Sequence, residues 1–286
     1  MTRPPTAVQS SAHTDPQNRP LFAFGIAIPI GTLGGLIGLG GAEFRLPVLA
    51  GPLGYIARQA VALNLAVSLV TVMASLAIRS STLALTPIIP LLPPMLAIIA
   101  GALITAFVGT GLVGRLSNER LERIILVFLV VIGGMLIIEG FVPQQIPALV
   151  PDQPVWRVLT GVLFGLAIGL ASSMLGVAGG ELIIPTLVFA YGTEIKVAGT
   201  ASLLISLPTV LMGVLRYARQ HAYAERRDRY QTIVPMGIGS VIGAVIGGLL
   251  VGIVPSSVLK MGLGMILIWS ATRIFHHTRT HAPDKE

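Results

Sequence analysis

The sequence contains two copies of one unit, and this repeat constrains the fold more than any other feature. Residues 31–49, GTLGGLIGLGGAEFRLPVL, align with residues 169–187, GLASSMLGVAGGELIIPTL, at a constant offset of 138. The same offset pairs Asn64 with Ser202 and continues without a gap into the later apolar runs. A shared register over about 100 residues indicates duplication, so each copy is expected to fold as one structural unit.

The composition of each copy is that of a membrane protein. Of the 286 residues, 53% are hydrophobic and 11% are charged, whereas a soluble domain carries about 25% charged residues. Several apolar runs reach the length of about 20 residues that crosses a bilayer as a helix. Cysteine is absent and the five histidines lie in polar stretches, so we expect no metal and no cofactor. The net charge is +7, and the basic residues lie in short loops between the apolar runs. This distribution indicates that they orient the protein in the membrane rather than bind nucleic acid.

Each copy predicts a Gly-broken helical hairpin followed by three transmembrane helices. The predicted fold is therefore an all-α polytopic membrane protein with two inverted repeats. The long helices are expected at about 57–78, 88–113 and 121–141, and at about 197–215, 233–254 and 258–275. The predicted domains are a disordered cytoplasmic tail (1–20), a first membrane repeat (21–143), a linker loop (144–154), a second membrane repeat (155–275) and a cytoplasmic tail (276–286).

The distribution of arginine predicts the topology. Arginines cluster in the loops at 115–123 and 216–229, and these loops are not counterparts in the repeat. Because positive loops stay in the cytoplasm, the exchange of charged loops indicates two units of opposite orientation. Both termini are then cytoplasmic, and each hairpin returns to the side from which it enters.

The glycines at the centre of each hairpin are candidate substrate contacts. Gly40 and Gly41 precede one short apolar helix, and Gly179 and Gly180 precede the other. Free N–H groups at a helix N-terminus favour an anion, and glycine lets a ligand approach the backbone. The alternative is that these glycines serve only a tight turn and close helix packing.

The hairpins also carry ionisable residues inside apolar segments. Such residues cost about 3 kcal/mol each in a membrane and face the protein interior. Arg45 is the better candidate for contacting an anion, because the second copy has no charged counterpart. Glu43 and Glu181 are expected either to carry a coupling proton or to neutralise Arg45 as a structural pair, with Glu181 meeting Arg45 across the two halves. Pro47 and Pro185 interrupt hydrogen bonding and are the predicted hinges.

Polar side chains occupy matching positions in the first long helix of each copy. Asn64 and Ser68 are four residues apart, as are Ser202 and Ser206, so each pair lies on one helix face. These side chains are candidates for hydrogen bonds to the substrate. The alternative is that they form hydrogen bonds between helices.

The paired motifs GLIGLGGAEFRLP and SMLGVAGGELIIP resemble the TauE/SafE family, whose pattern is GxGGG followed by proline, once per half. The resemblance covers about residues 22–275. It implies an exporter of sulfite or an organosulfur anion such as sulfoacetate, driven by an ion gradient. The sequence departs from the pattern at Ala42, which replaces the third glycine, and at Ala178, which replaces the first.

The resemblance and the hairpins together predict a secondary transporter. It exports a small sulfur-containing anion, sulfite or an organosulfonate, coupled to a proton or sodium gradient in the bacterial inner membrane. The alternatives are an anion channel on the same scaffold and a carrier of a carboxylate or another small anion. We expect no enzyme, because HExxH, GxSxG and cysteine are absent. The expected partners are the small anion and the lipid bilayer, and a homo-oligomer is left open.

Overall fold

The computed structural model describes residues 19–84, 86–112, 127, 130–131, 133–138, 140–141, 147–175 and 179–280. Within these residues the chain is helical and has no strand, which confirms the predicted all-α class. In the part of the chain that the structure describes, five segments are long and apolar enough to cross a bilayer: Arg19–Ile37, Gln59–Thr82, Thr86–Thr105, Ile195–Arg219 and Arg226–Leu250. Residues 1–18, 142–146 and 281–286 lie outside the described part, as does the first part of the helix predicted at 121–141. The predicted domain limits therefore stay predictions.

The first half begins with a helix that breaks at glycine and resumes. The break spans residues 38–41, and Gly38, Gly40 and Gly41 adopt positive φ angles that L side chains disfavour. The elements are α1 (Arg19–Ile37), α2 (Ala42–Ala50), α3 (Ala57–Thr82), a 3-10 turn (Thr86–Leu91) and α4 (Leu92–Leu112).

The second half follows the same plan with a different short helix. After the short helix Gly180–Pro185 the backbone widens into a π-helix, so this second short helix is less regular than α2. The elements are α5 (Pro154–Leu175), α6 (Gly180–Pro185) with its π-helix (Thr186–Ala190), α7 (Ile195–Arg219), a helical turn (Arg226–Asp228), a second π-helix (Arg229–Ile233), α8 (Val234–Leu250) and α9 (Ser256–Thr280).

Each broken pair returns to the end at which it begins. In the first hairpin (α1 and α2), the Arg19 guanidinium at the start of α1 donates to the Leu53 carbonyl just after α2. In the second hairpin (α5, α6 and its π-helix), the Tyr191 hydroxyl donates to the Arg157 carbonyl near the start of α5, at 3.1 Å. Both hairpins therefore have their open ends closed by hydrogen bonds.

The two halves exchange helices. The most extensive packing joins α1 to α8 and α4 to α5, so each half supplies one helix to the other's bundle. Glycine permits this approach, because a Cβ at Gly243 would lie 2.1 Å from the Ile28 carbonyl oxygen. A Cβ at Gly165 would lie 2.3 Å from the Ile98 carbonyl oxygen. Glycines at these helix contacts thus serve close helix packing, as is common in membranes.

The long helices α3 and α7 run antiparallel against each other. Arg79, near the end of α3, donates to Thr200 in the second turn of α7 at 3.0 Å. At the opposite end, Tyr223 follows α7 and donates to the Ala62 carbonyl near the start of α3 at 2.9 Å. The first hairpin opens at the end that contains Tyr55, and the second opens at the end that contains Tyr191. We name these the Tyr55 end and the Tyr191 end.

A polar network joins the halves at the Tyr55 end. The Tyr55 hydroxyl donates to the Asp228 carboxylate at 3.0 Å and lies 2.7 Å from the Thr232 hydroxyl. Gln59 donates to the other Asp228 oxygen. The start of α3 is thereby fixed to the π-helix that precedes α8.

Candidate functional site

The two glycine breaks meet inside the protein. Gly41 and Gly179 each occupy the N-cap of the following short helix with φ of 74° and 78°. Gly180, at the second break, packs on Leu39 at the first, where an added Cβ would lie 3.1 Å from the Leu39 carbonyl oxygen. The glycines therefore serve both the left-handed turn and the close approach of one hairpin to the other.

Neither short helix has a side-chain cap at its N-terminus. The N-caps Gly41 and Gly179 have no side chain to accept from the first-turn N–H groups. Glu43 and Glu181 occupy the first turns of α2 and α6, where a negative charge is favoured by the helix dipole. The first turn of α2 thus presents backbone donors beside a carboxyl group.

Arg45 is the polar centre of the first hairpin. Its side chain is fully buried, with 0% of the residue exposed. Nη1 donates to Ser68 Oγ at 2.9 Å and to Asn64 Oδ1 at 3.4 Å. Nη2 donates to the Gly40 carbonyl at 3.0 Å and to Thr71 Oγ1 at 3.1 Å. Four of the five guanidinium N–H groups are therefore used, all by neutral acceptors.

The acceptors for Arg45 lie along one face of α3. Asn64, Ser68 and Thr71 are spaced by four and three residues, so they follow one another on the helix surface. Asn64 also donates to the Ala42 carbonyl at 3.0 Å and so holds the start of α2 against α3. The predicted candidates Arg45, Asn64 and Ser68 are therefore brought together, through hydrogen bonds with one another.

The second half has the same glycine break and short helix, but it has no arginine at the position of Arg45. Ile183 stands at the position of Arg45, and Ser202 stands at that of Asn64. Ser202 is buried, and its hydroxyl has no hydrogen-bond partner among the residues that the structure describes. Thr209, which corresponds to Thr71, donates to the Ser206 carbonyl of its own helix at 2.8 Å. Polar side chains are present here, but the position that corresponds to Arg45 is apolar.

The predicted ion pair between Arg45 and Glu181 does not form. The hydrogen bonds of the Arg45 guanidinium that the structure describes all go to neutral oxygens. The guanidinium of Arg45 points to α3 and to Gly40 instead, because those acceptors lie within its reach. Both oxygens of Glu43 are buried and have no hydrogen-bond partner in the described part of the chain.

The predicted hinges lie at different places in their helices. Pro47 is inside α2, and its carbonyl accepts from the Gly51 N–H at 2.9 Å. Pro185 is the last residue of α6, where the π-helix begins. Proline cannot donate a hydrogen bond to the preceding turn, which accounts for the change of helix type after Pro185.

Arg79 is a second buried cation that the sequence reading missed as a site residue. Its Nε donates to the Gly35 carbonyl at 3.0 Å and its Nη2 to the Leu36 carbonyl at 2.9 Å, so it caps the C-terminus of α1. A cation is favoured at that end of a helix. The available signal was that the matching position in the second half, Tyr217, is uncharged.

Comparison with known proteins identifies the family. The chain matches the family described as Sulfite exporter TauE/SafE over residues 2–136 and 160–286, which include both halves. No curated protein and no solved structure matches the chain. Members of this family are membrane transporters, and membership implies export of sulfite or a related anion. The chain belongs to the sulfite exporter TauE/SafE family.

Proposed function

We propose that this protein is a secondary transporter that exports sulfite or an organosulfonate across the bacterial inner membrane, with transport coupled to a proton or sodium gradient. The family supports anion export, and the centre of the first hairpin supplies a site of suitable charge. The proposed substrate contacts are Arg45 with the neighbouring polar and glycine residues of both halves: Gly40, Gly41, Asn64, Ser68, Gly179, Gly180, Ser202 and Ser206.

The observation that carries this proposal is the buried charge of Arg45. A cation at the centre of a membrane helix costs about 3 kcal/mol when it is not neutralised. The hydrogen bonds of Arg45 go to neutral oxygens, so they solvate the guanidinium without cancelling its charge. A small anion would supply the missing negative charge, which gives the site its electrostatic preference.

The donors near Arg45 suit an oxyanion. The Nε–H of Arg45 is buried and has no partner among the described residues. The first-turn N–H groups of α2 begin two residues after Gly40, whose carbonyl accepts from Nη2. An oxyanion that replaced Ser68 or Asn64 on Nη1 would gain charge-assisted hydrogen bonds, which are about twice as strong as neutral ones.

The arrangement of the hairpins supports alternating access. The first hairpin opens at the Tyr55 end and the second at the Tyr191 end, with the two breaks between them. Inverted repeats with broken helices hold their substrates near the midplane and expose them to each side in turn. The arginines at 216–229 follow α7 at the Tyr55 end, so we propose that this end and both termini are cytoplasmic.

The test is sulfite flux in proteoliposomes, with and without an imposed pH or sodium gradient. We expect gradient-dependent flux from the wild type and loss of flux in Arg45→Ala. Arg219→Ala is the matched control, because it removes an arginine that is exposed at the end of α7. Monodisperse protein after size-exclusion chromatography verifies that each variant folds.

The outcomes separate transporter from channel and test the site. Flux that runs only down the anion gradient and ignores both ion gradients would identify a channel. Wild-type flux in Arg45→Ala would assign Arg45 to structure alone. Absence of sulfite flux, with transport of sulfoacetate or acetate instead, would replace sulfite by an organosulfonate or a carboxylate.

A further inference from the structure

The Glu43 carboxyl group is the least satisfied polar group of the hairpin centre. The residue is only 9% exposed, and neither carboxyl oxygen finds a hydrogen-bond partner in the described ranges. The helix dipole at the start of α2 favours a negative charge at Glu43, but this effect is smaller than the cost of burying an ionised carboxylate without hydrogen-bond donors. The protonated form carries no charge to solvate. The geometry therefore favours a neutral Glu43 in this conformation.

The neighbouring charges do not offset an ionised Glu43. Arg45, on the same helix, directs four N–H groups away to α3 and Gly40. From α6, Glu181 is close enough for its charge to act on Glu43, and like charges repel. The charged side chains described on the other packed helices lie toward helix ends: Arg19 on α1, Arg79 on α3, Lys196, Arg216 and Arg219 on α7, and Lys260 on α9, whose Trp269 stacks on Phe44 of α2.

The two states of Glu43 have opposite effects on a bound anion. Protonation leaves Arg45 as the net charge beside the break, and this favours an anion. Deprotonation places a negative charge two residues from Arg45 and repels the anion. Because both ligands act through one site, each raises the affinity for the other by the same factor.

We propose that Glu43 carries the proton that is coupled to anion transport, and that proton and anion cross together. A dianion with one proton carries a net negative charge, so export is driven by the outward anion gradient and the inside-negative membrane potential, against the inward proton gradient. This inference rests on the proposed function and names its coupling ion and the residue that holds it. The carboxylate takes up the proton from the side on which the site is open. It releases that proton to water on the other side after the anion leaves, so Glu43 returns to its starting state.

Glu43→Gln tests this assignment because the amide imitates a permanently neutral carboxyl group. Glu181→Gln is the matched control at the equivalent position of the second hairpin. The probe is radiolabelled sulfoacetate, which stays ionised near neutral pH and carries no exchangeable proton of its own. The membrane potential is clamped at zero, and the outside of the proteoliposomes is about one pH unit more acidic. One coupled proton then supports about tenfold accumulation.

We expect about tenfold accumulation in the wild type and in Glu181→Gln, and none in Glu43→Gln. Exchange of sulfoacetate at equal pH should continue in all three proteins. Accumulation in Glu43→Gln overturns the proposal. Loss of accumulation in both variants also overturns the assignment to Glu43 alone, because the carboxyl pair would then share the proton.

A second readout does not depend on which anion is carried. Infrared difference spectra of the folded protein detect the carbonyl band of a buried protonated carboxyl group. We expect this band in the wild type and in Glu181→Gln, and its loss in Glu43→Gln. An unchanged band in Glu43→Gln rejects the proposal even where the wild type carries no sulfoacetate. Absence of transport with the band present instead rejects the proposed substrate.

Discussion

The first and second hairpins share the same backbone turn but differ in the side chains behind it. Both place a left-handed glycine, Gly41 or Gly179, before a short buried helix that starts with a carboxyl group two residues later. The first then presents Arg45 to a polar face of α3, whereas the second presents Ile183 to an apolar core around α7. After duplication the turn was kept in both halves, and the buried cation is present in only one. The difference shows that glycine geometry builds the hairpin and that the side chains behind it decide its charge.

The largest expected effect comes from moving the cation to the second hairpin. Ile183→Arg places a guanidinium in a position that is 2% exposed, beside an α7 face that has Ser202 in place of Asn64. We expect a loss of about 3 kcal/mol in the free energy of unfolding, measured by SDS titration in mixed micelles.

The double variant Ile183→Arg with Ser202→Asn sharpens this result. Asn64 is both an acceptor for Arg45 and a donor to the start of α2, so Ser202→Asn restores that partner in the second half. We expect recovery of about 1 kcal/mol. If Ile183→Arg is as stable as the wild type, the absence of acceptors in α7 does not explain the asymmetry.

Removing the second buried cation should have the next largest effect. Arg79→Leu leaves the carbonyls of Gly35 and Leu36 without their donor and separates α1 from α7. We expect destabilisation of about 2 kcal/mol, together with slower sulfite flux, because the C-terminus of α1 loses its cap. Arg157→Leu, which breaks an ion pair to the exposed Asp152, is the control and should cost less than about 1 kcal/mol. Equal losses in both variants would contradict a special role for Arg79.

The two left-handed glycines should differ by a smaller amount. An added Cβ at Gly41 would lie 2.9 Å from Ile30 Cγ2 and 3.0 Å from the Ile30 carbonyl oxygen, whereas at Gly179 the nearest atom is Ile168 Cγ2 at 3.1 Å. Both alanine variants carry the left-handed penalty of about 1 kcal/mol. We expect Gly41→Ala to be the less stable in thermal unfolding in detergent, because a carbonyl moves less easily than a side-chain methyl. The reverse order would show that the second break is the tighter one.

The polar faces of α3 and α7 should respond differently to the loss of a polar side chain, and the smallest effect is expected on α7. Asn64→Ala removes hydrogen bonds to Arg45 and to the Ala42 carbonyl, so we expect a loss of about 2 kcal/mol. Ser202→Ala should change stability by less than about 0.5 kcal/mol, because its hydroxyl has no partner within the described residues. SDS titration of both proteins measures the difference. A large loss in Ser202→Ala would reveal a polar partner for that hydroxyl.

Much of the candidate site was visible in the sequence. The offset of 138 marks both breaks and predicts which residues are counterparts, so Arg45 was identified by its lack of a charged partner at Ile183. Four-residue spacing placed Asn64 and Ser68 on one face of α3. The spacing did not show that this face is turned toward Arg45. Two polar residues on one helix face indicate that this face does not contact lipid. They do not indicate which side chain packs against it.

The sequence by itself determined the apolar helices, the glycine breaks and the duplication, because these depend on local periodicity and on the backbone freedom of glycine. Tertiary structure decided the rest. In the folded protein α1 packs on α8 and α5 packs on α4, so each half contributes a helix to the other. Arg45 donates hydrogen bonds to α3 rather than to Glu181, and Arg79 caps the C-terminus of α1. These contacts join residues far apart in the chain, and several acceptors were within reach of each arginine. The choice among them was fixed by the close packing of the helices, which the order of residues along a single helix does not specify.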